Sequence, residues 1–120
     1  DLGDPFKVRY EGREAIAEGS RRLLSRWSFF AQMPHAFDAE VRGDTARGYW
    51  TVHTLFSDQE GFGGRTSIAL YLDEMVRTPE GWRFAVRRLR TLYSESRTLE
   101  GRTLPPEPDA LDWLAGAKES

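Results

Sequence analysis

The chain has 120 residues, 39% hydrophobic and 30% charged, a length typical of one domain with enough apolar material for one core. It carries 0 Cys and 2 His, which excludes disulfides, thiolate metal sites and cysteine nucleophiles and argues against a multi-histidine metal centre. A net charge of −2 gives no general attraction to nucleic acid, and no apolar run approaches the roughly 18–20 residues of a membrane span.

Phe6, Val8 and Tyr10 alternate with Lys7, Arg9 and Glu11, which predicts a short half-buried strand that Gly12 breaks. From Arg13 to about Phe30 the spacing changes. Ile16, Leu23, Trp27 and Phe30 recur at helical intervals, predicting one amphipathic helix that stops before Pro34. The period then returns to two, with His35, Phe37, Ala39 and Val41 on one face, and Gly43-Asp44 supplies a turn. A long strand follows over 45–56. One face carries Trp50, Val52, Thr54 and Phe56, and the other Tyr49, Thr51, His53 and Leu55, so both faces are expected to be covered.

Ser57 to Gly64 reads as a loop. Strands over 65–77 and 82–93 flank the turn Thr78-Pro79-Glu80-Gly81 and predict an antiparallel hairpin. Beyond Ser94 the chain is polar, and Asp109 is expected to cap a last short helix holding Leu111, Trp113 and Leu114. The order predicts one α+β domain over 1–120, with a core over 6–93 and a tail over 94–120. Its helix packs on one face of a strongly curved antiparallel sheet.

Little in this pattern carries chemistry. Gly61-Phe62-Gly63-Gly64 is not followed by the Lys-Ser/Thr of a phosphate loop. Arg87 and Arg88 alternate to opposite faces and form no single basic surface, so nucleic acid is not an expected partner. Asp73, Arg77 and Tyr71 share a face, and Glu74 on the other face needs a partner or water. His35 and His53 are the only side chains whose ordinary titration lies near neutral pH.

Three segments in order resemble the SnoaL-like branch of the nuclear transport factor 2-like superfamily. They are Tyr10-Glu11-Gly12-Arg13-Glu14-Ala15-Ile16; His35-Ala36-Phe37 through Gly43-Asp44-Thr45-Ala46; and Tyr71 to Arg77 with Gly81-Trp82-Arg83-Phe84 and Arg87-Arg88-Leu89. The resemblance implies a cone-shaped sheet wrapped around a pocket and closed by helices. Relatives include polyketide cyclases, scytalone dehydratase and lindane dehydrochlorinase, alongside members that only bind or assemble, so fold alone does not give function. The usual domain opens with helices that carry an acidic partner for the catalytic histidine. These helices are expected upstream of Asp1, since only five residues precede Phe6.

By this resemblance His35 is expected to face the cavity as general base, with Arg77 stabilising developing negative charge. Phe37, Tyr49, Trp50, His53, Tyr71, Asp73 and Trp82 are expected to wall the pocket. The implied activity is a lyase, dehydratase, isomerase or cyclase acting on an apolar substrate, with no cofactor and no metal. The alternative is a non-catalytic ligand-binding or assembly module. A homodimer or homotrimer, no membrane partner and a cytoplasmic location complete the expectation.

Overall fold

Gly12 has a φ of 85°, in the left-handed region, and there the chain leaves its opening segment and enters α1, Arg13–Leu24. In this computed structural model, which describes residues 1–3, 6–58, 63–102, 104, 109, 112 and 116, four strands follow. They are β1 Trp27–Arg42, β2 Thr45–Asp58, β3 Gly64–Thr78 and β4 Gly81–Ser96, paired antiparallel in the order β1-β2-β3-β4. The fold is thus α+β, with α1 on a curved meander, as the sequence predicts. Leu111, Trp113 and Leu114 of the expected tail helix lie outside the described residues.

Two expected elements are corrected. Phe6 to Glu11 is not a strand: Val8 makes one bridge, exchanging hydrogen bonds with Leu2 (2.8 and 3.0 Å). Residues 1–3 instead lie along the free edge of β4, where Leu89 N–H donates to Asp1 O (2.8 Å) and Gly3 N–H to Leu89 O (3.2 Å). This covers part of an otherwise open sheet edge.

The helix stops at Leu24, not Phe30. Arg26 N–H reaches back to Leu23 O in a tight last turn, and Trp27 then begins β1. Between Trp27 and Phe29 the pairing with β2 slips by one residue. That bulge at Ser28 brings Trp27 and Phe30 to one face although they are three apart, a spacing that imitates a helix in the sequence.

All the bulges fall in the outer strands. β1 has a second one between Pro34 and Phe37, and β4 has two, at Ala85 and Leu92. β2 and β3 pair without interruption from Thr45↔Val76 to Ser57↔Gly64. Extra residues at the margins bend the strands, so the sheet curls around the side that α1 covers.

The core is thin. Among the described residues, Ala46, Val52, Phe56 and Ala69 are its buried apolar residues, all on β2 and β3, with Thr54 and Asp73 buried on the same face and Thr66 on the other. Within α1 only Gly19 is buried. A side chain at Gly19 would collide with the ring of Tyr10, so the missing Cβ lets the opening segment pack on the helix. Glu18 accepts from Arg21 (2.8 Å) and Arg22 (3.2 Å), and these hydrogen bonds hold its carboxyl below the usual range.

Candidate functional site

The inner face of the curled sheet, α1 and the segment before it line a partly open cavity of about 760 Å³. This lies within the range typical of small-molecule sites. Ile16 and Leu23 of α1, Trp27 and Phe30 of β1 and Phe56 of β2 line it. The Trp27 and Phe56 rings are 4.3 Å apart and tilted by 55°, with Phe30 6.5 Å from Phe56. This is an apolar wall of three aromatic rings.

A polar row lies farther along the same face. Gln32 Nε2 donates to Tyr71 Oη (2.9 Å) and makes a long contact to Thr54 Oγ1 (3.5 Å). The phenol accepts that bond through its oxygen, which leaves its own O–H to donate elsewhere. Over the Tyr71 ring lies the Arg87 guanidinium, 4.2 Å from the centroid, with the Phe84 ring at 4.3 Å.

Arg87 is held by a carboxylate. Its Nε and Nη2 donate to the two oxygens of Asp73, both at 2.8 Å, and the Asp73 side chain is 0% exposed. The pair is bidentate and charge-assisted. These hydrogen bonds push the Arg87 pKa above its ordinary value, against the opposing effect of burial. Among the described residues no buried side-chain nitrogen or oxygen lacks a hydrogen-bond partner, and no three His, Cys, Asp or Glu side chains converge as a metal site.

Residues 3–88 match the sequence model of the SnoaL-like domain. The chain belongs to the SnoaL-like domain family. No curated protein matches it. Among solved structures, the domain is similar to the Kfla4162 protein from Kribbella flavida (21% identity, TM-score 0.64), covering 68% of this chain and 59% of that one. It is also similar to hexachlorocyclohexane dehydrochlorinase LinA-type3 from Novosphingobium barchaimii (24% identity, TM-score 0.68), covering 81% and 67% of the two chains. A third is hexachlorocyclohexane dehydrochlorinase LinA type 2, at 20% identity, TM-score 0.72 and coverage of 89% and 72%. At these identities the likeness is one of fold.

The SnoaL-like domain distributes its expected site residues unevenly. Tyr71 lines the cavity, and Asp73 sits on the same face with its carboxylate committed to Arg87. His35 does not line the cavity. Alternation predicts that it shares a face with Phe37, but the bulge between Pro34 and Phe37 breaks that alternation. Phe37 stacks on Trp50 at 4.2 Å, while His35 stacks on His53 at 6.3 Å. His53 neighbours Met33 and Ile68 on the outer face of the sheet, and its Nε2 is 2.8 Å from the Thr66 hydroxyl. The expected cavity positions of both histidines are therefore corrected.

Phe37 and Trp50 lie on the inner face of the sheet beyond the cavity, and neither lines it. Tyr49 is on the outer face and exposed. Arg77 is also displaced from its expected role. It pairs with Asp44 (3.3 Å), donates its N–H to Asp44 O (2.8 Å) and lies 4.6 Å over the Trp82 ring, which ties the tips of the two hairpins together. Glu74 finds its partners in Arg47 (3.2 Å) and Arg88 (3.3 Å).

Sequence reasoning missed Gln32, Arg87, Trp27, Phe30 and Phe56 as cavity residues. Phe56 was legible as one face of a long strand. Gln32 lies between the predicted helix end near Phe30 and Pro34, in a stretch assigned to no element, and Arg87 reaches Asp73 only through the extra residue at Ala85.

Proposed function

We propose that this SnoaL-like domain binds an apolar small molecule between α1 and the inner face of its sheet. The observation that carries the reading is the cavity itself: three aromatic rings at one end, and the Gln32–Tyr71–Arg87 row at the other. An apolar body with a few convergent polar groups is the usual make-up of a small-molecule site. Ser20 is exposed and lines the cavity from α1, so Ser20→Trp fills the space without disturbing the core. Organic extraction and mass spectrometry of the purified protein are expected to find a bound molecule in the parent and none in the variant. Once stripped of ligand, the two proteins should unfold within about 0.5 kcal/mol of each other. Equal occupancy in the two would refute the reading.

A second reading adds cofactor-free lyase or isomerase chemistry at the same site. It is supported by the fold shared with proteins named as dehydrochlorinases and by a phenol whose O–H has no acceptor among the described residues, beside a fixed cation. In this reading Tyr71, not His35, supplies the acid that protonates or stabilises oxygen on the substrate. Tyr71→Phe is expected to lower turnover by about 100-fold, and His35→Ala to leave it unchanged. The opposite ranking in a kcat comparison would return the chemistry to the histidine.

The outer face supports the assembly reading. Met33, Tyr49, Ile68, Leu72 and Tyr93 are all exposed there, an apolar surface of the kind that pairs two copies.

A further inference from the structure

The cavity carries more positive than negative side chains, in a chain whose net charge is −2. Arg9, Arg65 and Arg87 line it, against the carboxylates of Asp1 and Glu11. Arg9 is paired with Glu11 (3.0 Å), while Arg88, whose residue borders the cavity, directs its side chain to Glu74 on the outer face. Arg65 donates to a neutral hydroxyl, Ser94 Oγ, at 3.2 Å.

Arg87 is the best placed of the three. A guanidinium has five N–H groups, and Asp73 takes two of them along the Nε–Nη2 edge. Among the described residues the remaining three have no acceptor: both on Nη1 and the second on Nη2. One Nη1–H and the second Nη2–H lie on the adjacent edge of the same plane, which has the fork geometry that matches a second carboxylate. The plane cannot swing away. The fully buried Asp73 grips one edge, and the Tyr71 and Phe84 rings lie within 4.2 and 4.3 Å of the cationic carbon. A fixed donor edge loses little freedom on binding. The hydroxyl of Tyr71, supported by Gln32, supplies one more donor beside it.

We propose that the occupant of this cavity is an apolar acid. Its carboxylate sits on the open edge of Arg87 with the Tyr71 O–H donating to it, and its hydrocarbon body runs along the inner face toward Phe56 and Trp27. This rests on the small-molecule reading above and names the class of molecule within it.

The test compares 2-naphthoate with its neutral relative of nearly the same shape, 2-naphthamide, by calorimetry at neutral pH. The parent is expected to bind the acid about tenfold more tightly than the amide. Raising salt from about 0.05 to about 0.5 M should weaken the acid several-fold and leave the amide unchanged. In the double variant Asp73→Leu/Arg87→Met, which removes both charges together, the preference should fall below about twofold while amide binding persists. The salt series needs no variant, so the proposal stays testable if the double variant does not fold. Equal, salt-independent affinities in the parent overturn the acid assignment and leave the small-molecule reading standing. Failure of both probes to bind overturns the small-molecule reading and this proposal with it.

Discussion

Replacing Arg87 with Met is expected to lower the unfolding free energy by about 3 kcal/mol, a large part of the roughly 5–15 kcal/mol that holds a domain together. The effect comes from what is left behind. The Asp73 side chain has no solvent exposure, and both of its oxygens accept from Arg87. Removing the cation strands a buried carboxylate, which costs far more than the pair contributes while intact. Surface pairs in the same sheet, such as Arg42–Glu40 with side chains 79% and 69% exposed, should change stability by less than about 1 kcal/mol when broken. The double variant Asp73→Leu/Arg87→Met should recover most of the loss, because two apolar side chains of similar bulk leave nothing unpaired. Urea unfolding of the single and double variants checks this. If Arg87→Met and the double variant are equally unstable, Arg87 acts through packing on Tyr71 and Phe84, and the charge argument fails.

The second large effect is at Phe56. Its residue is 7% exposed, at the centre of the aromatic wall, 4.3 Å from Trp27 and 6.5 Å from Phe30. Phe56→Ala removes a whole ring from a core with only three other buried apolar residues, Ala46, Val52 and Ala69, among those described. Buried Phe→Ala changes cost about 3–5 kcal/mol. The expected value here is near the lower end, about 3 kcal/mol, because the void opens into a cavity that already exists. In thermal unfolding that is a fall of roughly 10–20 °C. Phe56→Leu should recover about half of it. A loss below about 1 kcal/mol for Phe56→Ala would mean that the ring packs against ligand rather than against the fold.

Much of the fold was legible because β2 and β3 are regular. Their alternation runs without a bulge, so Trp50, Val52, Thr54 and Phe56 were assigned to one face correctly. The turns at Gly43-Asp44 and Thr78–Gly81 were legible from their residue types. The outer strands were not, because each bulge shifts everything beyond it. Counting back from the Thr78–Gly81 turn without a bulge pairs Asp73 with Val86, and only the extra residue at Ala85 brings Arg87 opposite it. The same effect at Ser28 made part of β1 look helical, and between Pro34 and Phe37 it placed His35 away from Phe37.

The sequence by itself determined the α+β class, the helix start at Gly12, the meander and the family. These follow from local periodicity, turn chemistry and ordered motifs, which a chain carries whatever it packs against. Tertiary structure decided which side chains share the cavity. Bulges are set by how the sheet must curve to meet α1, an interaction between distant segments that leaves no period in the sequence. That is why two histidines with the most familiar chemistry lie together on the outer face, while Arg87, Tyr71 and Gln32 line the cavity.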